Sequence, residues 1–144
     1  MEEVKSIYIL LDYKLKALFR VPILEREVME DMVIFLVTLP ANKDAEAWAR
    51  SLIKRKLAAC VNIFKVRSVY LWKKAVEEAD ETLLIIKTSK RASEKLEKTI
   101  KEEHPYELPE IIALKPDKVD KAYLKWILDS VNASSQDAAR NERF

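Results

Sequence analysis

The 144-residue chain contains no glycine, one cysteine and one histidine. An average chain of this length carries about ten glycines. Their absence excludes every phosphate-cradling loop built on glycine, the dinucleotide fingerprint and the P-loop among them. One cysteine, Cys60, cannot close an internal disulfide, and Cys60 with His104 cannot assemble a closed structural zinc site within one chain. Charge of a single sign is missing too: 26 basic residues face 24 acidic ones, a net charge of +2. That balance leaves no basic footprint for nucleic acid, and no basic and aromatic stripe appears on which bases could stack. No uninterrupted apolar run reaches the length of a membrane span.

What is present suits one soluble domain with appendages, 49% apolar and 35% charged. A lone cysteine is consistent with a reducing, cytoplasmic setting. Dense charge without glycine, and prolines placed in connections, also fit a heat-adapted protein.

Residues 1–30 stand apart. Val4, Ile7, Tyr8, Leu11, Leu15, Leu18 and Phe19 form one helical stripe, broken by Lys5, Asp12, Lys14 and Lys16. This predicts an amphipathic helical extension that lies on a partner or membrane surface, packs as an extra helix on the core, or is poorly ordered. Its acidic start does not suit a secretory signal. Met29 and Met32, just ahead of the first strand, allow a later start.

From residue 32 the pattern becomes regular. MVIFLVTL, residues 32–39, reads as a buried central strand closed by Pro40. Asn42 is placed to cap a helix whose inward stripe is Ala45, Trp48, Ala49, Leu52 and Ile53, running to Lys56. Residues 58–72 form a long strand whose apolar alternation changes phase, from Val61 and Ile63 to Phe64, Val66, Tyr70 and Trp72. A bulge or bend near residues 63–65 is expected from that change. KKAVEEADE reads as a polar connection, and residues 82–88 as a short antiparallel return strand.

Ser89 starts a second helix with Ala92, Leu96 and Ile100 inward and Glu94–Lys98 and Glu97–Lys101 pairs outside, ended by Pro105. Residues 109–115 make a fourth strand. Residues 119–131 make a last helix, with Val119, Ala122, Tyr123, Trp126, Ile127 and Val131 inward, and residues 132–144 a disordered tail. The order βαββαβ plus a C-terminal helix predicts an α+β, ferredoxin-like split βαβ fold, an antiparallel sheet with two helices on one face.

Five segments in this order, KLAACVNI (56–63), SVYLW (68–72), LLIIKT (83–88), HPYELPEIIAL (104–114) and YLKWI (123–127), resemble the CutA divalent-cation-tolerance family over roughly residues 31–131. The resemblance implies a tight homotrimer of ferredoxin-like subunits, in which the long second strand extends a neighbour's sheet, and a role in tolerance to divalent metals such as copper. The chain departs from the family at two points. Phe64–Lys65 replaces a longer glycine-containing stretch, and Trp72–Lys73–Lys74–Ala75 replaces a glycine turn, which predicts backbone conformations open to residues with a β-carbon. The copper ligands credited to bacterial relatives fall here on Val37 and Glu103–His104, so two of three are absent.

Three chemistries are open to the run EEHPYE. Cys60 with His104 makes a poor nucleophilic site, since Cys60 lies in an apolar strand. His104 with Glu107 or Glu110 has the residue types of an acid and base pair, without a sign of an oxyanion donor, so no catalysis is expected. His104, Glu103 and Glu107 form a candidate site for weakly bound Cu2+ or Zn2+, no cofactor being required; against it stands the reading that His104 ends a helix. The resemblance places Tyr70, Trp72, Lys87, Tyr106 and Glu110 at subunit interfaces and clefts. The alternative function is a PII-like signalling module that binds small effectors in those clefts.

Overall fold

A computed structural model describes residues 31–132. The expected helical extension and the tail beyond Asn132 lie outside the described residues. Four strands and three helices follow in the order β1 (Met32–Pro40), α1 (Ala45–Lys54), β2 (Cys60–Trp72), β3 (Ala75–Ser89), α2 (Lys90–Glu103), β4 (Ile112–Leu114) and α3 (Lys121–Asn132). The sheet order β2-β3-β1-β4 is antiparallel throughout. This is the α+β, ferredoxin-like split βαβ arrangement.

Alternation along the strands divides the sheet into two faces. Val33, Phe35, Val37 and Leu39 of β1 and Leu84 and Ile86 of β3 point to one of them. There they meet Trp48 and Leu52 of α1 and Leu96 and Ile100 of α2 in the main core. α3 covers one end of the other face, where Met32 and Ala59 pack with Ile127 and Val131. Of the residues expected inward on α3, Ala122, Tyr123 and Trp126 are exposed. Tyr123 and Trp126 lean on each other with ring centroids 5.5 Å apart. Val119, Ile127 and Val131 do pack inward, joined by the half-buried Leu124.

Several local expectations are corrected. Asn42 does not cap α1: it sits in the turn closed by the Lys43 N–H to Pro40 carbonyl bond. Asp44 takes the role, accepting from the Ala47 N–H at 2.9 Å. α1 ends two residues before Lys56, because Lys56 turns to φ 58°. The Leu57 N–H then reaches the Leu52 carbonyl, and the Lys56 N–H reaches that of Ile53, which is a Schellman closure. Ser89 does cap α2, accepting from the Ala92 N–H. On α2, Lys101 pairs with Glu97 as expected, while Lys98 reaches Glu102.

β2 has no bulge. Its 13 residues pair with β3 in unbroken register from Cys60↔Lys87 to Trp72↔Ala75. The phase change in its sequence marks a change of apolar face: Val61 packs against the main core, whereas Tyr70 and Trp72 lie on the opposite face. The polar run read as a connection is the first half of β3, which is 15 residues long. Because β1 pairs only as far as Glu81, Ala75–Asp80 and Arg67–Trp72 project as a two-stranded arm. The Trp72↔Ala75 pair closes it with a two-residue turn in which Lys73 and Lys74 both hold positive φ, 46° and 69°. That is the left-handed pattern of a type I′ turn, here without glycine or asparagine. β4 is only three residues; residues 104–111, carrying Pro105 and Pro109, wrap past the sheet edge as irregular chain.

Candidate functional site

At the end of α2 the cap residue His104 is 9% exposed. Its Nδ1 accepts the Tyr106 N–H at 3.0 Å, so Nε2 carries the proton and donates to the Thr38 carbonyl at 2.7 Å. Both ring nitrogens are therefore engaged, and the imidazole turns no lone pair outward. The neighbouring Glu103 is turned to α1, accepting from Trp48 Nε1 at 2.8 Å and from Arg55 Nη1 at 2.6 Å. Partial burial pushes its carboxyl up, but these two bonds and the Arg55 charge outweigh that effect and hold it below the usual carboxylate range. Glu107 points elsewhere again, into the cleft described next. The structure does not bring His104, Glu103 and Glu107 into one ligand set. Among the described residues no group of three or more His, Cys, Asp or Glu side chains is placed to hold a metal ion.

The histidine instead positions Tyr106. With residues 104–111 tied to β1 through Thr38, Tyr106 stands against the sheet face opposite α1 and α2, at the base of the arm. Here Tyr70 and Trp72 of β2, Thr38 of β1, Glu81 of β3 and the 105–110 segment enclose a cleft of about 650 Å3. Glu81 is 7% exposed at its wall. Burial, then the hydrogen bond to the Glu81 carboxylate and its charge, and then Tyr70 push the Tyr106 hydroxyl up to about 12. Tyr106 and the Glu81 carboxylate thus lie together in the lining of the cleft.

Of the residues expected in a cleft, Tyr70, Trp72, Tyr106 and Glu110 meet here. Lys87 does not. It lies six residues along β3 from Glu81, about 20 Å at strand spacing, and bonds Asn62 and, at 3.7 Å, Cys60 Sγ. Glu81, Thr38 and Ser68 were not singled out by the sequence. The available signal for Glu81 was an acid on the same face as Tyr70 and Trp72, visible only once KKAVEEADE is read as strand.

The surface nearby is unusual for an isolated subunit. Val69, Leu71 and Val76 on the arm are 62%, 72% and 72% exposed. A bare two-stranded ribbon is marginal in water. Arg67 gives the arm some support, bridging to Glu78 at 2.8 Å and Asp80 at 2.9 Å, bonds that raise its guanidinium pKa further.

This geometry matches known proteins. The family model described as CutA1 divalent ion tolerance protein matches residues 33–130. The divalent-cation tolerance protein CutA of Pyrococcus horikoshii is 39% identical over 98 residues, 68% of this chain and 96% of that protein. Among solved structures, the protein described as periplasmic divalent cation tolerance protein CutA from Archaeoglobus fulgidus aligns with TM-score 0.66 and 34% identity, covering 69% of this chain and 98% of that one. The PII-like protein CutA from Nostoc sp. PCC 7120 in apo form aligns with TM-score 0.66 and 35% identity, over 69% and 96%. A match that spans every strand, the arm and the wrapped 104–111 segment places this chain in the CutA divalent-ion tolerance family.

Proposed function

We propose that the chain works as a non-catalytic, cytoplasmic homotrimer whose ligand site is the cleft under Tyr106, and that this binding is its contribution to divalent-ion tolerance. The observation that carries the reading is the buried Glu81 side chain lining that cleft beside Tyr70, Trp72 and Tyr106. Convergent polar groups in a largely apolar concavity are the general mark of a small-molecule site. Nothing in the cleft arranges a nucleophile with a base and an oxyanion donor, which supports binding over catalysis. The exposed Val69, Leu71 and Val76 support assembly, since a neighbour's sheet would cover them. Cu2+ and Zn2+ are held weakly, by exposed carboxylates outside the cleft, and no cofactor is required. Among the described residues no helix is long and apolar enough to cross a membrane.

Sedimentation and calorimetry test this together. The expected results are a species of three times the 16.8 kDa chain mass, and weak Zn2+ uptake that His104→Ala leaves unchanged. A stable monomer, or tight Zn2+ binding abolished by that substitution, would sink the reading. A PII-like signalling role is favoured by the structural neighbour described as PII-like. It differs in requiring that an effector in the cleft alter the docking of a partner protein.

A further inference from the structure

The lining of the cleft is one-sided in charge. Glu81, Glu107 and Glu110 contribute carboxylates, whereas no lysine, arginine or histidine lines it. An anionic effector would meet three like charges in the lining, Lys73 at the turn of the arm lying outside it over the Trp72 ring. The same three acids are too dispersed to act as a chelate, no metal-sized group of ligands being present among the described residues. Aromatic rings occupy the space between them: Tyr70 and Trp72 from the arm and Tyr106 from the wrapped segment. An indole or phenol face attracts a cation without needing to strip it to a bare ion, and does so best for weakly hydrated organic cations. One ammonium is already held this way, Lys73 Nζ lying 5.9 Å from the Trp72 ring centroid.

From this we infer that the cleft binds an organic cation, an alkylammonium whose charged head sits between Trp72, Tyr70 and the Glu81 carboxylate. The inference rests on the reading of the cleft as the ligand site and adds the ligand's chemical class. Tyr106 has a positioning role, standing beside the Glu81 carboxylate in the wall of the cleft. The volume of about 650 Å3 is within the range of ordinary small-molecule sites, and the apolar surfaces of Leu108, Pro105 and Pro109 suit alkyl substituents.

The test is a titration of the full-length assembled protein followed through the Trp72 indole resonance, assigned with Trp72→Phe. Four probes are compared: choline, its uncharged isostere 3,3-dimethylbutanol, adenosine triphosphate and Zn2+. Saturable choline binding is expected, with the isostere at least about tenfold weaker. Glu81→Gln should weaken choline by about ten- to a hundredfold, the range for a lost charge-assisted contact. Trp72→Leu should weaken it likewise, with sedimentation checking that the assembly is kept. Equal binding of choline and its isostere overturns the inference. So does binding of the nucleotide or of Zn2+ in the cleft with choline excluded; the cleft then remains the ligand site with a different class of ligand. A Trp72 resonance that none of the four probes moves removes the choice of cleft as well.

Discussion

The Thr38 carbonyl, in the central strand β1, accepts its side-chain hydrogen bond from His104 Nε2 at 2.7 Å across 66 residues of sequence. This bond joins the end of α2 to the sheet, and the Tyr106 N–H completes it from the other side of the ring. The one histidine of the chain is thereby a structural clasp whose product is the position of Tyr106.

His104→Ala should therefore act on stability. It leaves a buried carbonyl without its donor and frees the start of the wrapped segment, a loss of about 1–3 kcal/mol. Urea denaturation at fixed protein concentration measures it. Wild-type stability in the variant would mean that the ring bonds are replaced by water at no cost.

The turn lysines make a second case. Left-handed backbone costs a residue with a β-carbon about 1–2 kcal/mol relative to the right-handed region, and glycine escapes that cost while losing some entropy. Lys74→Gly at φ 69° and Lys56→Gly at φ 58° should each stabilise by about 1 kcal/mol. Arg50→Gly, inside α1, should destabilise by a similar amount. Denaturation midpoints of the three variants settle the comparison; a loss of stability in Lys74→Gly would exclude the type I′ turn.

How far the sequence led can be judged from these same regions. β1, both core helices and the Ser89 cap were legible because burial and capping leave a local periodic mark, as in Leu96 and Ile100. The first half of β3 was not. Its partner is β2 alone, so it needs no core and carries Glu77, Glu78 and Asp80 at positions where a buried strand would be apolar. Misreading it hid Glu81, and with it the deepest polar group of the cleft. Lys87 lies away from the cleft within one chain, which the sequence did not show: residue type marks a strand, but only register shows which end of it a side chain occupies. His104 was identified as both ligand and helix end, and only the ring's two bonds separate those roles.

Glu103 links stability to pH. Its folded carboxyl lies below the ordinary range, so the folded state releases this proton more readily than the unfolded chain does. The resulting stabilisation is fully present above the unfolded pKa, about 4.3 for glutamate, and is lost as pH falls through the lower folded value. Its side chain is 37% exposed, so screening limits the effect to within about 1 kcal/mol. Glu103→Gln should flatten the acid limb of the stability curve below about pH 5 and leave its alkaline limb alone. An unchanged acid limb would show that Arg55 and Trp48 do not hold the charge.

Tyr106 supplies the alkaline counterpart. Burial, the Glu81 bond and charge, and the proximity of Tyr70 raise its hydroxyl to about 12, against an ordinary value of 10.0. The folded state then keeps a proton that the unfolded chain gives up, so this contribution is intact below about pH 10 and is lost as pH rises toward about 12. Absorbance titration at the phenolate band should show one tyrosine lagging the others, absent in Tyr106→Phe. In Glu81→Gln the lag should shorten without vanishing, since the carboxylate's charge is removed while burial, the largest cause, persists. If Glu81→Gln leaves the lag unchanged, the Glu81 carboxylate is not the partner that holds Tyr106 in the cleft wall. If no tyrosine lags in the unmodified protein, the cleft wall is open to water and its polar anchor is not formed.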